Sequence, residues 1–153
     1  SYEKMESFVN SIKDLIADTL TASKVDISFQ YNESLDWEGL SSNIKINMYR
    51  MLQECLNNCI KHAKCTKIDV HFDSDFKNVS LKVIDNGLGF NVQAFKSGIG
   101  IRNIKSRVKK VNGHLKLDSK PKKGTTVVID IPLSNETQGH LKEDNFRTTV
   151  QQV

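Results

Sequence analysis

Between Val79 and Gly89 the chain changes its backbone rules, and that change restricts the architecture more than any other stretch. Val79, Leu81 and Val83 alternate with Ser80 and Lys82, the period-two pattern of a half-buried strand ending near Ile84. Asp85, Asn86, Gly87 and Gly89 follow, residues that accept positive φ or unusual backbone geometry, so the strand must break there and main chain can approach a ligand closely. Asp85 is then expected at a strand end beside exposed amides. A carboxylate accepts hydrogen bonds and repels phosphate, so it suits the amino edge of a base better than a triphosphate tail. A tight turn with an Asx cap accounts for the same residues, and the stretch alone leaves both readings open.

With 153 residues the chain is expected to form one domain with a core large enough to need no staples. No apolar run approaches the roughly 20 residues of a membrane span, and no signal peptide is expected from the sequence as it stands. The chain opens on serine rather than methionine, as a segment of a longer protein would, and a membrane anchor could lie outside it. Its three cysteines, Cys55, Cys59 and Cys65, are clustered and odd in number, unlike a secreted disulfide framework. Cys55 and Cys59 lie four apart in a helical pattern, which predicts small buried hydrophobes rather than zinc ligands and a reducing cytoplasm as the setting.

Tyr2 to about Thr21 places Met5, Phe8, Val9, Ile12, Leu15, Ile16 and Leu20 three and four apart, an amphipathic helix. Val25, Ile27 and Phe29 then alternate as a strand, and Asn32–Gly39 reads as a polar loop whose Trp37 is expected to pack on the surface. From Ser42 to Ala63 the pattern is helical again, with Ser41, Ser42 or Asn43 available as cap. Ile44, Met48, Leu52, Cys55, Leu56, Cys59, Ile60 and Ala63 form its apolar face. Opposite them, Glu54, Asn58 and Lys61 share an arc of roughly 60°, with His62 at its edge. A carboxamide oxygen suits a hard cation such as Mg²⁺, which keeps several waters and bridges to phosphates. An ammonium can pair with phosphate oxygens and a carboxylate can orient a water or hydroxyl; plain solvent exposure explains each residue equally well taken singly.

Ile68, Val70 and Phe72 mark a strand whose hairpin partner is Val79–Ile84. After Asn91–Ser97, Gly98 and Gly100 precede a second long helix carrying Ile101, Ile104, Val108 and Val111 on one face and stopped by Asn112-Gly113. A glycine turn feeding a helix N-terminus offers free amides to an anion. The formal charge is only +4, yet Asn86 to Leu117 holds no acid against Lys96, Arg102, Lys105, Arg107, Lys109, Lys110 and Lys116. Phosphate, nucleic acid or an acidic partner would answer that charge, as would a simply solvated helix face. His114–Leu117 and Thr125–Ile131 read as a closing hairpin around Ser119–Gly124. Residues 134–153 are polar and aperiodic, a tail expected to be mobile, leaving 1–133 as the domain.

Taken together, Glu54 to Ala63, Asp85 to Phe90, Gly98 to Ile101 and Gly124-Thr125-Thr126 resemble, in order and spacing, the N, G1, G2 and G3 boxes of a sensor histidine kinase ATP-binding domain. The resemblance covers about Val25 to Leu133. The short Asn91–Ser97 segment and Arg102–Val108 look most like the kinases that partner regulators of the NarL/LuxR class. The fold implied is α+β, a two-layer Bergerat-type sandwich shared with gyrase-type, heat-shock chaperone and mismatch-repair ATPases: a mixed, mostly antiparallel sheet of about five strands under about three helices.

The same resemblance implies ATP and Mg²⁺ as ligands. Asp85 corresponds to the adenine-reading acid, Asn58 to the Mg²⁺ ligand, Glu54 to the catalytic acidic position, and Lys61 and His62 to nucleotide-contacting positions. Gly87 and Gly89 would shape the adenine pocket and lid hinge, while Gly98, Gly100 and Ile101 would bring backbone to the phosphates. Thr125 would support Asp85 from the neighbouring strand, with Thr126 a possible substitute. None of His62, His71, His114 and His140 fits a phosphoacceptor, so the acceptor is expected on a dimerisation domain outside this chain, with a response regulator beyond it. A serine-directed kinase of the anti-sigma type and a non-catalytic nucleotide switch are the alternatives. No specific nucleic-acid binding and no membrane contact by this domain are expected.

Overall fold

The computed structural model describes residues 7–61, 64–89 and 99–133. Helix α1 runs Phe8–Ser23 and is capped by Ser7, whose Oγ accepts from the Asn10 amide at 3.2 Å. Of the apolar residues read from Tyr2 onward, Phe8, Val9, Ile12, Leu15, Ile16 and Leu20 lie in this helix; Tyr2 and Met5 lie outside the described residues. Phe8, Ile12 and Ile16 face inward. Strand β1, Asp26–Tyr31, leads to a single 3₁₀ turn at Trp37–Gly39 and then to helix α2, Ser42–Lys61, where Ser41 Oγ accepts from the Ile44 amide. Of the offered caps, it is Ser41 that serves.

Strands β2 (Lys67–Ser74) and β3 (Asn78–Asp85) form the expected hairpin, and helix α3 covers Ile99–Lys110. The stop at Asn112-Gly113 is a Schellman motif: Asn112 is left-handed (φ 53°), its amide bonds to the Lys109 carbonyl, and that of Gly113 reaches Val108 O at 2.8 Å. Strands β4 (His114–Ser119) and β5 (Thr125–Pro132) complete one five-stranded sheet in the order β1-β2-β3-β5-β4. Only β1 and β2 run parallel, the crossover between them being α2; the other pairs are antiparallel. The expected mixed, mostly antiparallel sheet under three helices is what the chain forms.

One sheet face carries the core. Ile68, Val70 and Phe72, Val79, Leu81 and Val83, and Val127, Ile129 and Ile131 point into it, against Met48, Met51, Leu52, Cys55 and Leu56 of α2. Each such side chain withdrawn from water contributes roughly 1.5–3 kcal/mol. The opposite face presents Asp69, His71, Ser80, Lys82, Thr126 and Asp130, and no helix of the described residues covers it. Trp37 overturns one expectation: it is 3 % exposed, its ring 5.7 Å from that of Phe72. The loop turns inward because Leu35 and Leu40 are buried beside it in sequence, and the indole Nε1 donates to the Asn32 carbonyl at 2.8 Å, so no polar atom is stranded.

Candidate functional site

Antiparallel pairing sets the first component. Asp85 is the last residue of β3 and lies opposite Thr125, the first of β5, on the core side of the sheet. Only 7 % exposed, its carboxylate needs partners. Oδ1 accepts the Gly87 amide at 2.8 Å, an Asx turn, and Oδ2 accepts the Cys59 thiol at 3.2 Å. The Asx-capped turn and the functional turn thus share one geometry. Asn86 pins the strand end: its Oδ1 accepts from the Thr66 and Lys67 amides at 2.9 and 3.0 Å, and its Nδ2 donates to Thr66 Oγ1.

Two glycines hold this corner closed. Gly89 (φ +63°) and Gly124 (φ +76°) occupy the left-handed region, and a Cβ would run into the Lys120 carbonyl at the first and the Asp85 carbonyl at the second. Gly87 is not left-handed; it serves through its amide. Thr125 is buried, its Oγ1 2.8 Å from Ser119 Oγ, whereas Thr126 pairs with Ile84 on the other sheet face.

The Cys59–Asp85 contact seats the C-terminal turns of α2 beside this strand end. Glu54 and Asn58 are half-buried and Lys61, the last residue of α2, is exposed. Among the described residues the Asn58 carboxamide has no hydrogen-bond partner, while Glu54 Oε1 accepts from Asn103 of α3 at 3.4 Å. Further ties join the two helices: Asn43 Nδ2 to the Lys110 carbonyl, and Arg107 to Asn47, a buried amide that also bonds back to Asn43. Gly100 lies in the first turn of α3, Ile101 follows half-buried, and His62 and Gly98 fall outside the described residues. Arg102, Lys105, Lys109 and Lys110 are exposed along α3.

Behind the carboxylate the thiols are dry. Burial, with the Glu54 and Asp85 charges adding to it, pushes Cys55 up to about 12. Burial, then the charge and hydrogen bond of Asp85, pushes Cys59 up as well, and burial and Asp85 raise Cys65, whose Sγ donates to the Cys59 carbonyl at 3.2 Å. All three are free thiols, as expected, and the described residues hold no group of three or more His, Cys, Asp or Glu able to bind a metal.

The sequence profile of histidine kinase-, DNA gyrase B- and HSP90-like ATPases matches residues 43–135, which take in α2, the Asp85 turn, α3 and the closing hairpin. The chain belongs to this ATPase family. Curated relatives of this ATPase domain are 34 % identical over 100 residues to the histidine-protein kinase/phosphatase DegS of Brevibacillus brevis (65 % of this chain, 26 % of the relative) and 29 % over 116 to the sensor histidine kinase LiaS of Bacillus subtilis (72 % and 32 %). The sensor protein VraS of Staphylococcus epidermidis is 30 % identical over 134 residues (87 % and 37 %). The chain therefore spans about a quarter to two fifths of the length of these relatives. The histidine kinase domain of the Erythrobacter litoralis blue-light kinase superposes with a TM-score of 0.65 at 17 % identity, over 88 % of this chain and 64 % of that one, a likeness of fold.

Within that ATPase domain the structure brings Asp85, Gly87, Gly89 and Thr125 together, and sets Glu54, Asn58 and Lys61 along the adjoining helix. Three contributors are given no functional role by the sequence reading: Cys59, Asn86 and Asn103. Asn86 stood inside the recognised run and was read only as a turn former; the helical spacing that buries Cys59 also aims it at β3, a tertiary fact no local pattern contains.

Proposed function

We propose that the chain is the ATP-binding catalytic domain of a two-component sensor histidine kinase, which binds Mg·ATP and passes the γ-phosphoryl to a histidine on a dimerisation domain outside it. The observation that carries this reading is the buried Asp85 carboxylate, paired among the described residues with two neutral donors and no cation, beside a helix whose polar stripe holds a carboxamide with no partner among those same residues. A carboxylate so placed accepts from the exocyclic amine of adenine; Thr125 supports it from the adjacent strand, with Thr126 on the opposite face the weaker candidate.

The donor set also suits the cation. A single protein oxygen, from Asn58, with no carboxylate cage around it, fits Mg²⁺, which prefers water and phosphate oxygens to a dedicated protein site. Bound there, it would neutralise charge on the transferring phosphoryl group. On this reading Lys61 contacts the nucleotide, Gly100 and Ile101 approach the phosphates, and Glu54, steadied by Asn103, orients the incoming imidazole and takes up its proton; His62 and Gly98 are assigned to the nucleotide and the phosphates by the resemblance alone. Positioning supplies most of the catalysis in such transfers, so the chain alone hydrolyses ATP slowly if at all. This domain is expected to work in the cytoplasm, on a parent that can carry a membrane anchor elsewhere, with a response regulator of the NarL/LuxR class; among the described residues no helix is long and apolar enough to cross a membrane.

Calorimetric titration with a non-hydrolysable ATP analogue, with and without Mg²⁺, tests this. One-to-one saturable binding strengthened by Mg²⁺ is the expected result. Absence of binding at millimolar nucleotide would remove the reading.

A further inference from the structure

Cys59 and Cys55 lie one turn apart on α2 and are equally buried, 5 % and 2 % exposed, but they are used differently. Among the described residues Cys55 Sγ has no hydrogen-bond partner and simply fills the core. Cys59 Sγ stands 3.2 Å from Asp85 Oδ2 across 26 residues of sequence. The other oxygen is taken by Gly87 at 2.8 Å, so the carboxylate is gripped from two elements, a helix and a turn.

We propose that Cys59 is a positioning residue for base recognition: its thiol proton, donated to Oδ2, fixes the plane of the Asp85 carboxylate and leaves the remaining lone pairs to accept from a purine amine. The inference rests on the nucleotide reading of Asp85 given above. Three features support it. The sulfur keeps its proton, because burial and the adjoining carboxylate charge both oppose the thiolate. A thiol is a weak donor to neutral oxygen, but an ionised acceptor strengthens the bond. The backbone carbonyl of Cys59 is itself held by Cys65 Sγ at 3.2 Å, which steadies the turn from which the thiol is presented.

Chemistry and bulk separate in two variants. Cys59→Ser keeps a donor of similar size, whereas Cys59→Val, about one methyl bulkier, stays apolar and removes the proton. The full chain is titrated with the Mg²⁺ complex of a non-hydrolysable ATP analogue and with the matching purine ribonucleotide that lacks the 6-amino group. The valine variant is expected to weaken the ATP analogue about five- to tenfold and the amine-free nucleotide hardly at all, with the serine variant within about twofold of wild type. A valine variant that discriminates between the two nucleotides as well as wild type overturns the proposal alone. So does one that weakens both equally, the mark of a packing role. A wild-type chain that binds neither nucleotide overturns the nucleotide reading and this proposal with it.

A spectroscopic readout covers the case in which the valine variant fails to fold. The S–H stretch of Cys59, identified in the infrared by its loss in Cys59→Ser, should move towards the free-thiol position in Asp85→Asn. A band unchanged by that substitution would show that the thiol does not bind the carboxylate.

Discussion

The two ends of the site are finished to different degrees. At the Asp85 end every polar atom already has its partner: two donors on the carboxylate, three hydrogen bonds on the Asn86 side chain, and two left-handed glycines packed against carbonyls. Along α2 the Glu54–Asn58–Lys61 stripe is half-buried to exposed, and Asn58 has no hydrogen-bond partner among the described residues. The difference follows from solvation. A carboxylate withdrawn from water costs several kcal/mol unless paired, so the closed end must be satisfied in the free protein. Side chains facing solvent are satisfied by water and can wait for a ligand. On our reading the base end is preorganised and the phosphate end is completed by Mg·ATP.

The sharpest way to break that contrast is Asp85→Asn, which keeps shape and replaces an acceptor with an amide. ATP affinity should fall about 100-fold while the thermal midpoint moves by only a few degrees. Equal affinity in calorimetry would remove Asp85 from the base site. At the open end, Asn58→Ala should abolish the strengthening by Mg²⁺, about tenfold, and leave urea unfolding nearly unchanged, because no hydrogen bond among the described residues is lost. A variant that still gains affinity from Mg²⁺ would refute the ligand assignment.

A smaller effect measures how dry the closed end is. Cys55 titrates near 9.0 when unfolded and at about 12 when folded. The native state therefore holds this proton more tightly: stability is intact below pH 9 and is lost progressively as pH rises from there towards 12. The loss attributable to Cys55 should be about 1 kcal/mol by pH 9.5. Urea unfolding of wild type and Cys55→Ala at pH 8 and 9.5 reads it as the difference between their alkaline slopes, and identical slopes would mean that water reaches the thiol.

What the sequence disclosed divides along similar lines. Strands β2, β3 and β5 were legible because alternation is local, and α2 and α3 because their apolar residues recur at helical spacing and their ends carry Ser41 and Asn112-Gly113. Asp85 was legible because a strand ending in Asp-Asn-Gly-Leu-Gly forces the backbone to turn. Trp37 was misjudged because the polar residues around it, Asp36, Glu38 and Gly39, masked the Leu35 and Leu40 that bury with it. The Cys59–Asp85 bond and the Asn103–Glu54 tie join elements far apart in sequence, and nothing in either segment announces the other.

The rung that pairs Asp85 with Thr125 has a further consequence. The chain leaves this rung at residue 86 and returns to it at residue 125, having built α3 and β4 in between, so the whole excursion begins and ends at a single anchored point. Closing a loop costs entropy that grows only with the logarithm of its length, about 0.6 kcal/mol per doubling. Within that excursion α3 is packed on α2 and β4 is paired with β5, so only the connections outside those two elements are free to change length without disturbing the register beneath them.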